Sequence, residues 1–218
     1  MSLPRITVLI SGRGSNLAAL LAAQRAGTLG AAVTAVVSNR PEAAGLAIAA
    51  SHGAATVVVD HKLYATREEF DAALAAAIDA TEPALIVMAG FMRVLGPAFI
   101  ARYPGRMLNI HPSLLPSYPG LHTHRRALAD GVRIHGCTVH FVTTDLDGGP
   151  IVAQGAVAVR DDDSEETLAA RVLAVEHRLL PAAVRAFCEG RLVIAERRVR
   201  VTGQSVPAAA LEVPAPVR

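Results

Sequence analysis

At 218 residues and 22.7 kDa the chain is long enough to bury one sizeable core, and 52% hydrophobic against 18% charged residues excludes a disordered polymer. Twenty-one basic residues, of which only Lys62 is a lysine, are offset by 19 acids, so the net charge of +2 argues against a nucleic-acid binder. Aromatics at 4% with no tryptophan point the same way, and no apolar run reaches the length of a membrane span or a signal-peptide core, so a cytoplasmic protein with no membrane partner is expected.

The N-terminal half alternates between two kinds of segment. Residues 6–10, 33–37, 56–59, 85–88 and 107–110 are short, apolar and often β-branched, as strands buried on both faces are. Between them, residues 15–26, 43–52, 67–80 and 97–102 read as helices. This repetition predicts an α/β fold: a doubly wound, mostly parallel, Rossmann-like sheet with helices on both faces. The second half differs, because residues 134–143 and 150–159 form two long strand-like runs around the turn-rich hexamer 144–149, which predicts antiparallel strands added to the sheet. Ser164 then opens an apolar-periodic helix through Glu189, with acids at its positive end and Gly190 as the stop. Residues 193–195 and 198–201 read as a short hairpin. The segment 205–218, rich in Ala, Val and Pro without a period, is expected to be a flexible tail behind a single domain spanning 1–204. Cys137 and Cys188 lack redox or metal spacing and read as small buried thiols.

Three places carry potential chemistry. The first strand runs into Ser11-Gly12-Arg13-Gly14-Ser15-Asn16 and then a helix, so glycine-freed N–H groups and a helix N-terminus converge, as in phosphate sites. The spacing is neither the dinucleotide fingerprint nor the P-loop, and a tight turn capped by Ser or Asn is the alternative. The second place is the strand end at Asn109 and His111, two residues apart and hence on one face, with Leu108 and Ile110 on the other. A polar Asn on a buried strand needs hydrogen bonds or costs about 1–3 kcal/mol, and an amide beside an imidazole can donate to an oxyanion. The third is Asp147, which reads as turn chemistry unless it reaches His111. His122 and His124 have no third ligand at metal-site spacing, so no metal is expected.

Together, the motifs VLISGRGSN (8–16), AGFMR (89–93), LNIHPSLLP (108–116), YPGLHTH (118–124), VHFV (139–142) and LDGGP (146–150) resemble the phosphoribosylglycinamide formyltransferases, folate-dependent enzymes of de novo purine (IMP) synthesis. The resemblance covers roughly residues 5 to 200. It implies a formyltransferase fold whose half up to about residue 105 binds phosphate and whose half from about 106 binds folate and carries catalysis. It also implies glycinamide ribonucleotide and 10-formyltetrahydrofolate as substrates, and leaves homodimerisation open. In that family's pattern Asn109, His111 and Asp147 match the catalytic trio, while Gly14, Ser15, Asn16 and Glu176 match positions binding the phosphoribosyl group. Arg67, Met92, Arg93, Val94 and Leu95, with Thr143, Thr144, Asp145, Leu146 and Asp147, match positions holding the folate. The family's cis Leu-Pro peptide falls at Leu115-Pro116. Taken by themselves, Met92 and Leu95 read as core, Arg67 as a surface charge and Glu176 as an exposed acid. Formyltetrahydrofolate hydrolases and methionyl-tRNA formyltransferases are the nearest rivals. Neither the regulatory domain of the first nor the RNA-binding domain of the second is matched, and a non-catalytic sensor would have no use for the trio.

Overall fold

A computed structural model describes residues 2–203, so the segment expected to be a tail lies outside the described residues. In chain order the strands are β1 (Arg5–Ile10), β2 (Ala32–Ser38), β3 (Ala55–Val58), β4 (Leu85–Met88), β5 (Met107–His111), β6 (Ile134–Phe141), β7 (Ile151–Ala158), β8 (Leu192–Ala195) and β9 (Arg198–Val201). They form one sheet in the order β3-β2-β1-β4-β5-β6-β7-β9-β8. The five strands from β1 to β5 are parallel, and β6 pairs antiparallel with both β5 and β7. Parallel neighbours cannot be joined by a tight turn, so helices make the crossovers: α1 (Ser15–Arg25), α2 (Gly45–Ser51), α3 (Arg67–Asp79) and α4 (Pro97–Arg102). Strand order reverses between β1 and β4, the kind of switch point at which an α/β sheet opens a crevice beyond its strand ends.

Alternation along the strands divides the core between the two faces. Val8, Ile10, Val36, Val87, Leu108 and Ile110 pack with Leu17, Leu20 and Leu21 of α1 and with α6 (Glu165–Cys188). On the other face Leu9, Val37, Ile86, Met88 and Met107 meet Phe70, Leu74 and Ile78 of α3 and Phe99 of α4. Leu74 is fully buried, and truncating such a side chain to Ala typically costs about 2–5 kcal/mol. The two longest helices, α3 and α6, start on reciprocal caps. The Thr66 hydroxyl accepts from the N–H of Glu69 while Glu69 accepts from that of Thr66, and Ser164 and Thr167 repeat the arrangement at α6. Over 24 residues, about 36 Å, α6 buries Leu168, Val172, Glu176, Leu180, Ala183 and Val184 as one stripe.

Three features are absent from the sequence expectation. Helix α5 (Thr123–Ala129) buries only Thr123 and Ala127, so no apolar period announces it. A single 3-10 turn at His61–Leu63 starts on the Asp60 carboxylate, which accepts from Lys62 N–H. The β8–β9 hairpin was expected, but it also extends the sheet, with β9 set parallel to β7 through Ile151 and Arg198. Among the described residues no helix is long and apolar enough to cross a membrane.

Candidate active site

The glycine loop brings β1, α1 and α2 together. Gly14 is the N-cap of α1 with φ 76°, and a Cβ there would lie 2.6 Å from Gly45 Cα at the start of α2. Both the left-handed backbone and the close approach demand glycine. No side chain caps α1, so neither Ser15 nor Asn16 plays the capping role that was the alternative reading. A cavity of about 350 Å³ lies at this helix end, lined by residues 11–16 with Arg40, Ala89, Gly90 and Met92. Uncapped N–H groups at the positive end of a helix suit an anion there. Arg40, just past β2, adds a guanidinium at the rim that reading the sequence did not single out.

Behind the loop, Asn16 donates from Nδ2 to Glu176 Oε2 at 2.7 Å, while Asn16 Oδ1 is buried without a protein partner. Glu176 is 6% exposed rather than a surface acid. Burial pushes its carboxyl pKa up, and the hydrogen bond from Asn16 partly opposes that. Ser11 ties the loop to its neighbours. Its Oγ donates to Asn39 Oδ1 at 2.5 Å and accepts from Met92 N–H at 2.7 Å, and its own N–H donates to Gly90 O at 3.1 Å.

At the end of β5, Asn109 and His111 share a face with His140 of β6, the residue registered opposite Asn109. His140 is 2% exposed, and its Nδ1 lies 2.9 Å from Phe141 O. That carbonyl can only accept, so the proton sits on Nδ1 and Nε2 accepts from Asn109 Nδ2 at 3.1 Å. Burial lowers the His140 pKa, which keeps this tautomer neutral. The loop after β6 folds back over the same face. Asp147 Oδ2 lies 3.4 Å from His111 Nδ1 and accepts from Gly120 N–H at 2.8 Å, and Asp147 Oδ1 is 3.8 Å from His140 Nε2. Asp147 thus reaches His111, the condition its functional reading required. The other His111 nitrogen, Nε2, faces Tyr118 O at 2.9 Å. The loop from Pro112 to Gly120 is held against β6 and β7, since Leu115 N–H donates to Thr138 Oγ1 and Gln154 Nε2 donates to Leu115 O. Its Leu115-Pro116 peptide is cis.

The remaining matched residues flank this centre on two loops. Met92 and Val94 are 65% and 58% exposed, unlike core residues, whereas Leu95 is 6% exposed among Phe70, Phe91 and Phe99. Arg67 opens α3, and the Arg93 guanidinium lies 5.9 Å from the Phe70 ring centre. Thr143 is half-buried, while Thr144, Asp145 and Leu146 are exposed. Met92, Val94 and Leu146 therefore offer apolar surface at loop tips, where a flat aromatic ligand can lie. Among the described residues no group of three or more His, Cys, Asp or Glu side chains is placed to hold a metal ion.

The chain has counterparts among known proteins. The model of the formyl transferase family matches residues 4–184. Phosphoribosylglycinamide formyltransferase of Escherichia coli (strain K12) is 48% identical over 202 residues, 93% of this chain and 95% of that protein. The trifunctional purine biosynthetic protein adenosine-3 of Homo sapiens is 44% identical over 88% of this chain, which spans 19% of that protein. The solved glycinamide ribonucleotide transformylase 1 of Symbiobacterium toebii superposes with a TM-score of 0.89 at 48% identity, covering 91% of this chain and 94% of that one.

Proposed function

Because this chain belongs to the formyl transferase family, alongside its phosphoribosylglycinamide formyltransferases, we propose that it transfers a formyl group from 10-formyltetrahydrofolate to the amine of 5'-phosphoribosylglycinamide. The products are formylglycinamide ribonucleotide and tetrahydrofolate, a step of purine synthesis. In this reading the N-terminal half seats the phosphate and the C-terminal half the folate and the reaction, both within one domain of residues 1–204.

The phosphoribosyl end enters the cavity at α1. Its phosphate accepts from the N–H groups of Gly14, Ser15 and Asn16, and Glu176 accepts from a ribose hydroxyl. With only one lysine in the chain, positive charge at this seat comes from Arg13 and Arg40 at the rim. The folate lies between the loops that carry Met92, Arg93, Val94 and Leu95 and residues 143–147, with Arg67 beside its anionic tail. The folate supplies an activated formyl carbon. The substrate amine attacks that carbon, and the C–N bond to the folate nitrogen breaks as the proton of the amine passes to that nitrogen.

Asn109 donates to the oxygen that becomes negative in between, and His111 joins it by turning an N–H from the Tyr118 carbonyl to that oxygen while its other nitrogen stays on Asp147. The contact between His111 and Asp147, 3.4 Å across the site, is the observation that carries this reading. His140 aims the Asn109 amide and leaves its second N–H available. His111, or a water held by Asp147, moves the proton. The test is direct: the protein is mixed with glycinamide ribonucleotide and 10-formyltetrahydrofolate, and deformylated folate is followed. No turnover with the complete pair overturns the assignment, and folate consumed equally fast without the ribonucleotide identifies a hydrolase instead.

A further inference from the structure

Asp71 stands apart from every residue matched to the site, yet it grips the loop that carries four of them. It sits one turn into α3, four residues after Arg67 and on the same helix face. Its Oδ2 accepts from Gly96 N–H at 2.7 Å, directly after Met92, Arg93, Val94 and Leu95. The approach is close: a Cβ on Gly96 would lie 2.9 Å from Asp71 Oδ2, so a side chain there must displace the carboxylate or the loop. Asp71 is 8% exposed, and its Oδ1 is buried with no protein partner. Burying a carboxylate with half its capacity unmet is unfavourable, so packing alone would favour an apolar residue here. The same turn of α3 holds the loop a second time, through Phe70 beneath the Arg93 guanidinium.

We propose that Asp71 is a positioning residue for the folate seat, setting the height of the 92–95 loop over α3 through Gly96 and so the placement of Arg93 relative to Arg67. Arg67 and Arg93 serve an anionic carboxylate tail together only if the loop that carries Arg93 stands at a fixed height over the helix that carries Arg67. This inference rests on the proposed placement of the folate at Arg67 and Arg93.

The experiment measures steady-state kinetics against both substrates, with thermal unfolding, for Asp71→Ala, Asp71→Asn, Gly96→Ala, Arg67→Ala and Arg93→Ala. Asp71→Ala should raise KM for 10-formyltetrahydrofolate about tenfold, a loss of about 1.4 kcal/mol, with kcat and KM for the ribonucleotide changed less than twofold. Asp71→Asn keeps an oxygen for Gly96 N–H and should recover most of that loss. Gly96→Ala pushes the loop from its own side and should reproduce the selective rise, so the inference is tested even where Asp71→Ala does not fold. If both arginine variants raise folate KM while Asp71→Ala and Gly96→Ala do not, the folate placement stands and the role of Asp71 is overturned. A uniform loss in kcat and both KM values, in step with a lower Tm, overturns it as well. Unchanged folate KM in the arginine variants removes the folate placement and this inference with it.

Discussion

Asn109 and His140 meet across the β5–β6 ladder, amide Nδ2 to imidazole Nε2 at 3.1 Å, and the Phe141 carbonyl on the far side of the ring fixes which nitrogen accepts. The amide has one donor committed to His140 and one left, which the proposed mechanism gives to the reacting oxygen. Replacing Asn109 by Ala should lower kcat about 10²-fold or more, with little change in either KM, because its strongest bond forms only as charge develops. A change confined to KM counts against that role. His140→Ala should cost about tenfold in kcat, and the double variant should be no slower than Asn109→Ala alone, since His140 acts through the amide. Additive losses would show that the two act separately.

In the proposed reading Glu176 serves binding at the expense of stability. Burial raises its folded pKa above the unfolded one, so its contribution is fully favourable only below the unfolded value and is lost as pH rises through the folded value. Near neutral pH, Glu176→Gln should therefore raise Tm, by about 2–4 °C for each kcal/mol recovered, while KM for the ribonucleotide increases and KM for the folate does not. A lower Tm at pH 7.5 would refute the first part.

Gly14→Ala tests the phosphate seat. A non-glycine residue at φ 76° is strained, and its Cβ would fall 2.6 Å from Gly45 Cα, so α1 and α2 must separate and the loop N–H groups lose their aim. KM for the ribonucleotide should rise at least about tenfold, read alongside a circular dichroism spectrum that remains native. Unchanged affinity would place the phosphate elsewhere.

His135 gives the acid side of the stability profile. It is 1% exposed, 3.1 Å from His124 Nδ1, and burial followed by repulsion from His124 pushes its pKa down to about 4. A depressed folded pKa leaves stability intact above the ordinary histidine value and removes it as pH falls toward the folded value. Urea midpoints should therefore decline between pH 6.5 and 4, and His135→Gln should flatten that decline. Parallel slopes in the two proteins would mean that other groups carry the acid transition.

The strands and crossover helices were legible because buried parallel strands are short continuous apolar runs with longer helix-like stretches between them. Asn109 and His111 were legible for a related reason: polar residues two apart on such a run must be accounted for. Glu176 was legible only through the family pattern, although it occupies the apolar stripe Leu168, Val172, Glu176, Leu180, where an acid breaks the period. His140 needed the register of β6 against β5, which is a tertiary fact, even though its segment was among the matched motifs. Arg40 at the cavity rim just past β2 and the Asp71–Gly96 contact out of α3 are tertiary placements that no local pattern encodes, and α5 is too short and too polar to announce itself.

The Ser11 hydroxyl joins three stretches of chain that are far apart in sequence: the glycine loop, Asn39 after β2, and Met92 after β4. One hydroxymethyl group thus works as a gauge block between the two proposed ligand seats. Attack by an amine on a carbon requires the reacting atoms within about 3–3.5 Å, a tolerance finer than the length of a single methylene bridge between loops. In the proposed arrangement the reach from phosphate to formyl group is consequently calibrated at the first strand end, well away from the atoms that react.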